Sequence, residues 1–208
     1  MLPPCNNPLP VWHPNGTLYV GCNPTQGGIP LFSSPNGGFT WTAAGTITVP
    51  PAWIAAPFLG VKDGFLYIDT RSNWHLLAHR YNYRNGGGKA DGTTNLVSGH
   101  AFSPDGNTWM FSSVPPYDSQ LMHTDGPSTV FTSLERPHLI FDAVSGQPTH
   151  LVLAAAPAGT TPFCSGCRPA PGSSSSCVLC KLTPGIDSTY TLVVTLRQNT
   201  SRASASQP

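Results

Sequence analysis

The residue with the most direct acid–base chemistry is Glu135, the only glutamate in the 208-residue chain. It is followed by Arg136 and precedes the apolar segment that starts at Pro137. A carboxyl group in this position could act as a general acid or accept a hydrogen bond from a ligand hydroxyl. It could equally lie at a strand edge and pair with Arg136 or another arginine. The sequence leaves both roles open.

Histidine is the next candidate, because the chain has seven histidines and only three lysines. We expect His79, His100 and His138 to lie on short inner strands, where an imidazole could contact a ligand or an ion. Each could instead be hydrogen-bonded within the core. No His-Glu-x-x-His or similar spacing occurs, so we predict neither a metal nor a cofactor.

These residues are positioned by strand–turn–strand units. Residues 7–20 contain an Asn15-Gly16 turn between two β-rich runs, which is a strong hairpin signal. Residues 57–79 and 137–154 form two further units, and residues 190–196 form a last alternating strand. The first three units each begin with a proline just before a short apolar strand, a position that proline tolerates.

A second repeated element lies between these units. Residues 34–41 and 103–109 both read Ser-Pro-(Asn/Asp)-Gly and end on Thr-Trp. The Asn or Asp side chain can bond backbone amides of the turn, and Asp105 is therefore predicted to be structural. Strand pairs separated by such turns, with no helix between them, predict an all-β protein with the pattern of a β-propeller.

Composition excludes several other classes. Glycine (21) and proline (23) are frequent and only 9% of residues are charged, so long amphipathic helices and coiled coils are excluded. The net charge of +1 argues against a nucleic-acid partner. No apolar run approaches the roughly 20 residues of a membrane span, so we expect no membrane partner.

The repeated turns resemble the Asp-box of sialidases and other propeller glycosidases, with Asn36 in the Asp place of the first copy. Residues 73–79, 99–109 and 135–142 look like runs of the glycosyl-hydrolase-like five-bladed propellers related to the arabinanase/xylosidase/invertase group. The resemblance covers roughly residues 6–196 and implies a partial five-bladed propeller with about three blades. We expect a disordered tail over residues 197–208.

The resemblance also implies where a site would lie. Glycoside hydrolysis uses two carboxyl groups, and such propellers carry a base Asp, a helper Asp and an acid Glu at or near the starts of successive inner strands. Glu135 matches the acid and is the predicted catalytic residue. Asn7 stands where an Asp is expected, and Ala55 and Ala56 precede the second strand in place of an acidic residue.

We therefore expect a carbohydrate-active, glycoside-hydrolase-like protein that binds a glycan or small sugar, whether or not it is active. Trp74 could stack on a sugar ring or be buried in the sheet. A non-catalytic glycan-binding propeller and a structural or protein-interaction propeller are the alternatives. The predicted substrate-binding residues are Asn7, Arg136, His79, His100, His138 and Trp74.

The six cysteines bear on the compartment. Cys164, Cys167, Cys177 and Cys180 have the spacing C-x2-C-x9-C-x2-C within a predicted loop insertion at residues 162–182, which fits either disulfides or a zinc site. The even number of cysteines and the sequons at Asn15 and Asn199 favour disulfides in a secreted glycoprotein. No signal peptide is visible, and an N-terminally truncated chain would reconcile these observations.

Overall fold

The structure is a computed structural model of the chain, and it describes residues 2–23, 28–54, 59–82, 98–157 and 190–197. The first of three antiparallel sheets has strands in chain order: β1 (Leu9–Trp12), β2 (Leu18–Gly21), β3 (Gly28–Ser34) and β4 (Thr42–Thr48). The predicted Asn15-Gly16 turn joins β1 to β2, which pair from Leu9 with Gly21 to Trp12 with Leu18.

The second sheet follows a single helical turn, α1 (Pro51–Ile54). It consists of β5 (Leu59–Ile68), β6 (Trp74–Asn82), β7 (Ser98–Ser103) and β8 (Met110–Phe111), again in chain order. Among the described residues no helix is long and apolar enough to cross a membrane.

The third sheet contains β9 (Gln120–Leu121), β10 (Thr129–Phe141), β11 (Pro148–Pro157) and β12 (Tyr190–Thr195). The short strand β9 pairs with the start of β10, and the rest of β10 pairs with β11. One strand of each sheet lies next to its counterpart in the neighbouring sheet, because both β1 and β10 pack against β5. Consecutive four-stranded sheets with adjacent first strands are propeller blades. The all-β prediction with about three blades is confirmed.

Both Asp-box-like turns join the third and fourth strands of their blades. In the first, the Asn36 side-chain oxygen accepts a hydrogen bond from the Thr40 amide at 2.9 Å, and the Trp41 indole donates to the Gly38 carbonyl at 2.8 Å. In the second, Asp105 accepts from the Thr108 amide at 2.7 Å. The predicted structural role of Asp105 is thus confirmed.

The core has two parts. One lies between the first and second blades and includes Ile29, Ile47, Leu76 and Trp74, and the other lies between the second and third blades and includes Leu134 and Leu153. A disulfide joins Cys5 to Cys22 and so ties the segment before β1 to the end of β2. The other four cysteines, the predicted loop insertion and most of the predicted tail lie outside the described residues.

Candidate functional site

The same backbone kink occurs once in each blade, just before β1 and within β5 and β10. Asn7, Asp63 and Arg136 adopt left-handed backbone conformations, with φ of 45°, 50° and 53°. In β5 and β10 the strand pairing shifts register at this point, between Lys62 and Phe65 and between Glu135 and His138. Such bulges redirect side chains and are frequent beside functional sites. The kinks bring one polar residue from each blade to the same place.

A pocket of about 390 Å³ opens between these three kinks. Asp63 is a buried member of its lining, whereas Asn7, Arg136 and His138 are exposed. The Asn7 amide donates a hydrogen bond to the Asp63 carboxylate, which links the first blade to the second. The apolar lining of the pocket is formed by Pro8, Leu9, Pro10, Gly64 and Phe65.

Gly64 makes the close packing behind the pocket possible. A Cβ atom at this position would approach the Leu9 side chain to 2.6 Å and that of Leu76 to 3.0 Å. The first and third blades have Pro8 and Pro137 in the corresponding place after the kink. The second blade therefore needs glycine there because β1 lies directly against it.

Two carboxylates lie together at this site and share one ammonium group. The Lys62 Nζ is 3.4 Å from Asp63 Oδ2 and 3.7 Å from Glu135 Oε2. The carboxylate side chains are 2% and 8% exposed, and that of Lys62 is 22% exposed. A buried carboxylate without a compensating charge is costly, so Lys62 compensates the negative charge of this pair. Glu135 itself does not line the pocket.

His79 lies behind the carboxylates, with its Nδ1 atom 4.0 Å from Glu135 Oε2. Burial, followed by the positive charges of Lys62 and Arg136, lowers the pKa of His79 to about 3. The imidazole is therefore neutral at pH 7 and does not form a charged pair with Glu135. Burial and then the charges of Glu135 and Asp63 raise the pKa of Tyr117 above its usual range, so this phenol also stays neutral.

By spacing alone, Asp63, His79 and Glu135 could hold a metal ion, because one ligand atom from each lies within 4.8 Å of the others. The Lys62 ammonium already contacts two of these three groups. A cation binding there would have to displace it, so the arrangement fits a lysine-neutralised carboxylate pair better than a metal centre.

The structure brings together some of the residues predicted for the site and separates others. Asn7, Arg136 and His138 line the pocket, and Glu135 and His79 lie directly behind it. His79 and His100 lie on β6 and β7, the second and third strands of their blade, so the expectation of inner strands is correct only for His138.

Trp74 does not line the pocket, and of the two roles that the sequence leaves open the structure shows burial in the sheet. It is 5% exposed in the core between the first two blades. Its indole packs edge-on against Tyr19, with ring centroids 4.8 Å apart, and stacks on His13. These contacts hold the indole within the core.

The expected position in the second blade is also corrected. The kinked residue there is Asp63, which stands eight residues after Ala55 and is acidic. Ala55 and Ala56 lie outside the described residues. The spacing to the following hairpin turn could have located Asp63. In each blade the kinked residue precedes a left-handed turn residue by nine or ten positions, and these turn residues are Gly16, Ser72 and Gly146.

No protein-family model matches this sequence, and no curated protein matches it. Solved structures do match in fold. An exo-1,5-α-L-arabinanase from a bovine ruminal metagenomic library is 16% identical over 74% of this chain and 46% of its own, with a TM-score of 0.44. An exo-β-1,3-galactanase from Phanerochaete chrysosporium is 9% identical over 76% of this chain and 44% of its own, with a TM-score of 0.47.

A Hadza microbial sialidase is 16% identical over 74% of this chain and 29% of its own, with a TM-score of 0.41. The chain thus spans less than half the length of each of these three proteins. The names of the three are those of an arabinanase, a galactanase and a sialidase.

Proposed function

We propose that the chain is a glycosidase-like propeller that binds a sugar in the pocket between its three inner strands without cleaving it. The observation that carries this proposal is the convergence of Asn7, Asp63 and Arg136 from three successive blades on one pocket. Binding pockets combine a largely apolar wall with a few convergent polar groups, and this pocket has both.

The polar groups suit sugar hydroxyls, which both donate and accept hydrogen bonds. The Asp63 carboxylate accepts, the Arg136 guanidinium donates, and the Asn7 amide can do both. Phe65 and His138 add rings to the wall, with centroids 4.9 Å apart. A sugar has hydroxyl edges and an apolar ring face, so it can satisfy both kinds of lining at once.

The arrangement of carboxyl groups favours binding over hydrolysis. A glycosidase needs two carboxyl groups on opposite sides of the scissile bond, one of them delivering a proton. Here Asn7 supplies an amide where the resemblance implies a base. Asp63 and Glu135 both contact the Lys62 ammonium, and Glu135 does not line the pocket, so the two carboxyl groups do not flank a ligand there.

Hydrolysis is the second candidate, because Glu135 is a buried carboxyl group beside the neutral imidazole of His79. A general acid must be protonated before it can deliver a proton. In an active enzyme Glu135 would donate a proton to the leaving oxygen. This role requires Lys62 to move away from the carboxylates.

We further propose that the protein acts in the secretory pathway or outside the cell. The disulfide between Cys5 and Cys22 supports this location, because disulfides persist in oxidising compartments. The sequons and the other four cysteines agree with it.

The test combines binding and turnover on the same protein. Glycan-array binding is followed by calorimetric titration of the best sugar into the wild type and into Arg136→Gln and His138→Ala. Arg71→Gln is the matched control, because Arg71 is an exposed arginine outside the pocket. We expect at least a tenfold loss of affinity in the pocket variants and none in the control.

Turnover is measured as release of a chromogenic aglycone from pentosides and hexosides by the wild type and by Glu135→Gln. The binding proposal expects both proteins to be inert. Turnover that the wild type shows and the variant loses would replace it with hydrolysis by Glu135. If the protein neither binds a sugar nor shows turnover, both proposals fail and the alternative of a structural or protein-interaction propeller stands.

A further inference from the structure

We infer that His75 and His100 form a binding site for a borderline transition-metal ion such as Zn²⁺ or Cu²⁺, with Asp69 as the carboxylate that orients His75. The site lies on the second blade, and neither histidine lines the sugar pocket. It is therefore independent of the proposed function.

The sheet register places the two rings side by side. Strands β6 and β7 pair with His75 opposite Phe102 and with Leu77 opposite His100. Alternate residues of a strand share a face, so the two histidines are diagonal neighbours on one face. Their rings lie nearly parallel, with an angle of 17° between the planes, and His75 Nδ1 is 3.1 Å from His100 Nε2.

This nitrogen–nitrogen distance suits a shared metal ion. Two imidazoles bound at 2.0–2.1 Å to a tetrahedral zinc have ligand atoms about 3.3 Å apart. The observed separation of 3.1 Å is within a few tenths of an ångström of that value. In the metal-free protein these two nitrogens share a hydrogen bond, which a bound ion would replace.

The other nitrogen of His75 is held by a carboxylate. Its Nε2 atom lies 3.4 Å from Asp69 Oδ2. Donation of the Nε2 proton to Asp69 leaves the lone pair of Nδ1 directed towards His100. Metal-binding histidines characteristically donate their second ring nitrogen to a carboxylate, which fixes the tautomer and the orientation of the ring.

The carboxylate and the ring are both fixed before any ion binds. Asp69 accepts hydrogen bonds from the Asn73 amide at 2.9 Å and its side chain at 3.0 Å, and from the Arg71 amide at 2.9 Å. Tyr67 stacks on the His75 ring at 4.5 Å with 6° between the planes. Such fixed outer contacts keep the cost of ordering the ligands low.

The type of ion follows from the donors. Neutral imidazole nitrogens suit zinc, copper and nickel, whereas calcium and magnesium require oxygen ligands. Both histidines are partly exposed, and the His75 side chain keeps 13% of its surface accessible, so water can complete the coordination of the bound ion.

The primary test is electron paramagnetic resonance of the chelator-treated full chain with one equivalent of Cu²⁺. We expect hyperfine coupling to two imidazole nitrogens. We also expect this signal to be lost in His75→Gln and in His100→Gln and kept in His123→Gln, a control at an exposed histidine. A wild-type spectrum without two-nitrogen coupling, or the same spectrum in His100→Gln, would overturn the proposal.

Calorimetry with ZnCl2 then tests the orienting carboxylate. We expect Asp69→Asn to weaken the histidine-dependent binding about 10- to 100-fold, the usual cost of losing such a contact. Zinc bound only by the cysteines at 164–180 would persist in both histidine variants, and that result would also refute the site. Circular dichroism of each metal-free variant checks that it is folded, and a wild-type spectrum without two-nitrogen coupling overturns the site whether or not the variants fold.

Discussion

Replacing Lys62 by methionine tests whether this lysine compensates the buried carboxylate pair. At the observed distances of 3.4 and 3.7 Å, each attraction has a gross size of about 4 to 5 kcal/mol at an effective dielectric constant of 20. Desolvation offsets much of this attraction. Removing one partner of a buried ion pair costs about 3–5 kcal/mol, and we expect about 3 kcal/mol because the Lys62 side chain is 22% exposed.

The assay is urea unfolding at pH 7, monitored by tryptophan fluorescence, to which the buried Trp53 and Trp74 contribute. Arg71→Met is the matched control. Arg71 also contacts a carboxylate, Asp69 at 3.1 Å, but its side chain is 78% exposed. An exposed ion pair of this kind contributes at most about 1 kcal/mol.

A second comparison separates charge from packing. In a Lys62→Met background, Asp63→Asn and Glu135→Gln remove the uncompensated charges, and we expect this triple variant to regain most of the lost stability. A loss below about 1 kcal/mol in Lys62→Met, equal to that in Arg71→Met, would refute the role given to Lys62. So would a triple variant that is less stable than the single one.

Two further predictions concern stability. The pKa of His79 falls from 6.5 in the unfolded chain to about 3 in the folded protein, so the unfolded state binds the additional proton between these values and stability is lost as pH falls below 6.5. Urea unfolding at pH 6.5 and at pH 5 should show that His79→Leu removes about 2 kcal/mol of this loss of stability. An equal change in unfolding free energy between the two pH values in the wild type and in His79→Leu would contradict the prediction. A Cβ atom at Gly99 would approach the Trp53 ring to 2.3 Å, so Gly99→Ala should destabilise the protein by about 1–3 kcal/mol. Gly126→Ala, where a Cβ atom would meet nothing within 4 Å, should leave the unfolding midpoint unchanged; equal midpoints in both variants would refute the packing argument.

Local features of the fold could be predicted from the sequence because neighbouring residues determine them. The Asp-box-like turns are closed by hydrogen bonds between residues no more than four positions apart, such as those of Asn36 and Asp105. The Asn15-Gly16 hairpin is equally local. Such features depend little on the rest of the chain.

The site was only partly predictable, because it depends on register between distant strands. If the site position of the second blade is placed just before Pro57, the residues found there are alanines. If it is placed nine residues before the turn at Ser72, the residue is Asp63. The role of Lys62 becomes visible only when β5 and β10 lie side by side. The pairing of His75 with His100 likewise depends on how β6 and β7 align.

The repeated kink separates backbone shape from side-chain chemistry. An amide, a carboxylate and a guanidinium occupy equivalent places with φ values within 8° of one another, at Asn7, Asp63 and Arg136. Since the backbone φ angle is nearly the same for three different side chains, each of these positions can carry a different functional group. The charge at the pocket could therefore be changed one blade at a time, for example by Arg136→Gln, without redesign of the strands. Because each blade contributes one polar residue at an equivalent position, the groups that face a ligand can vary independently of the fold.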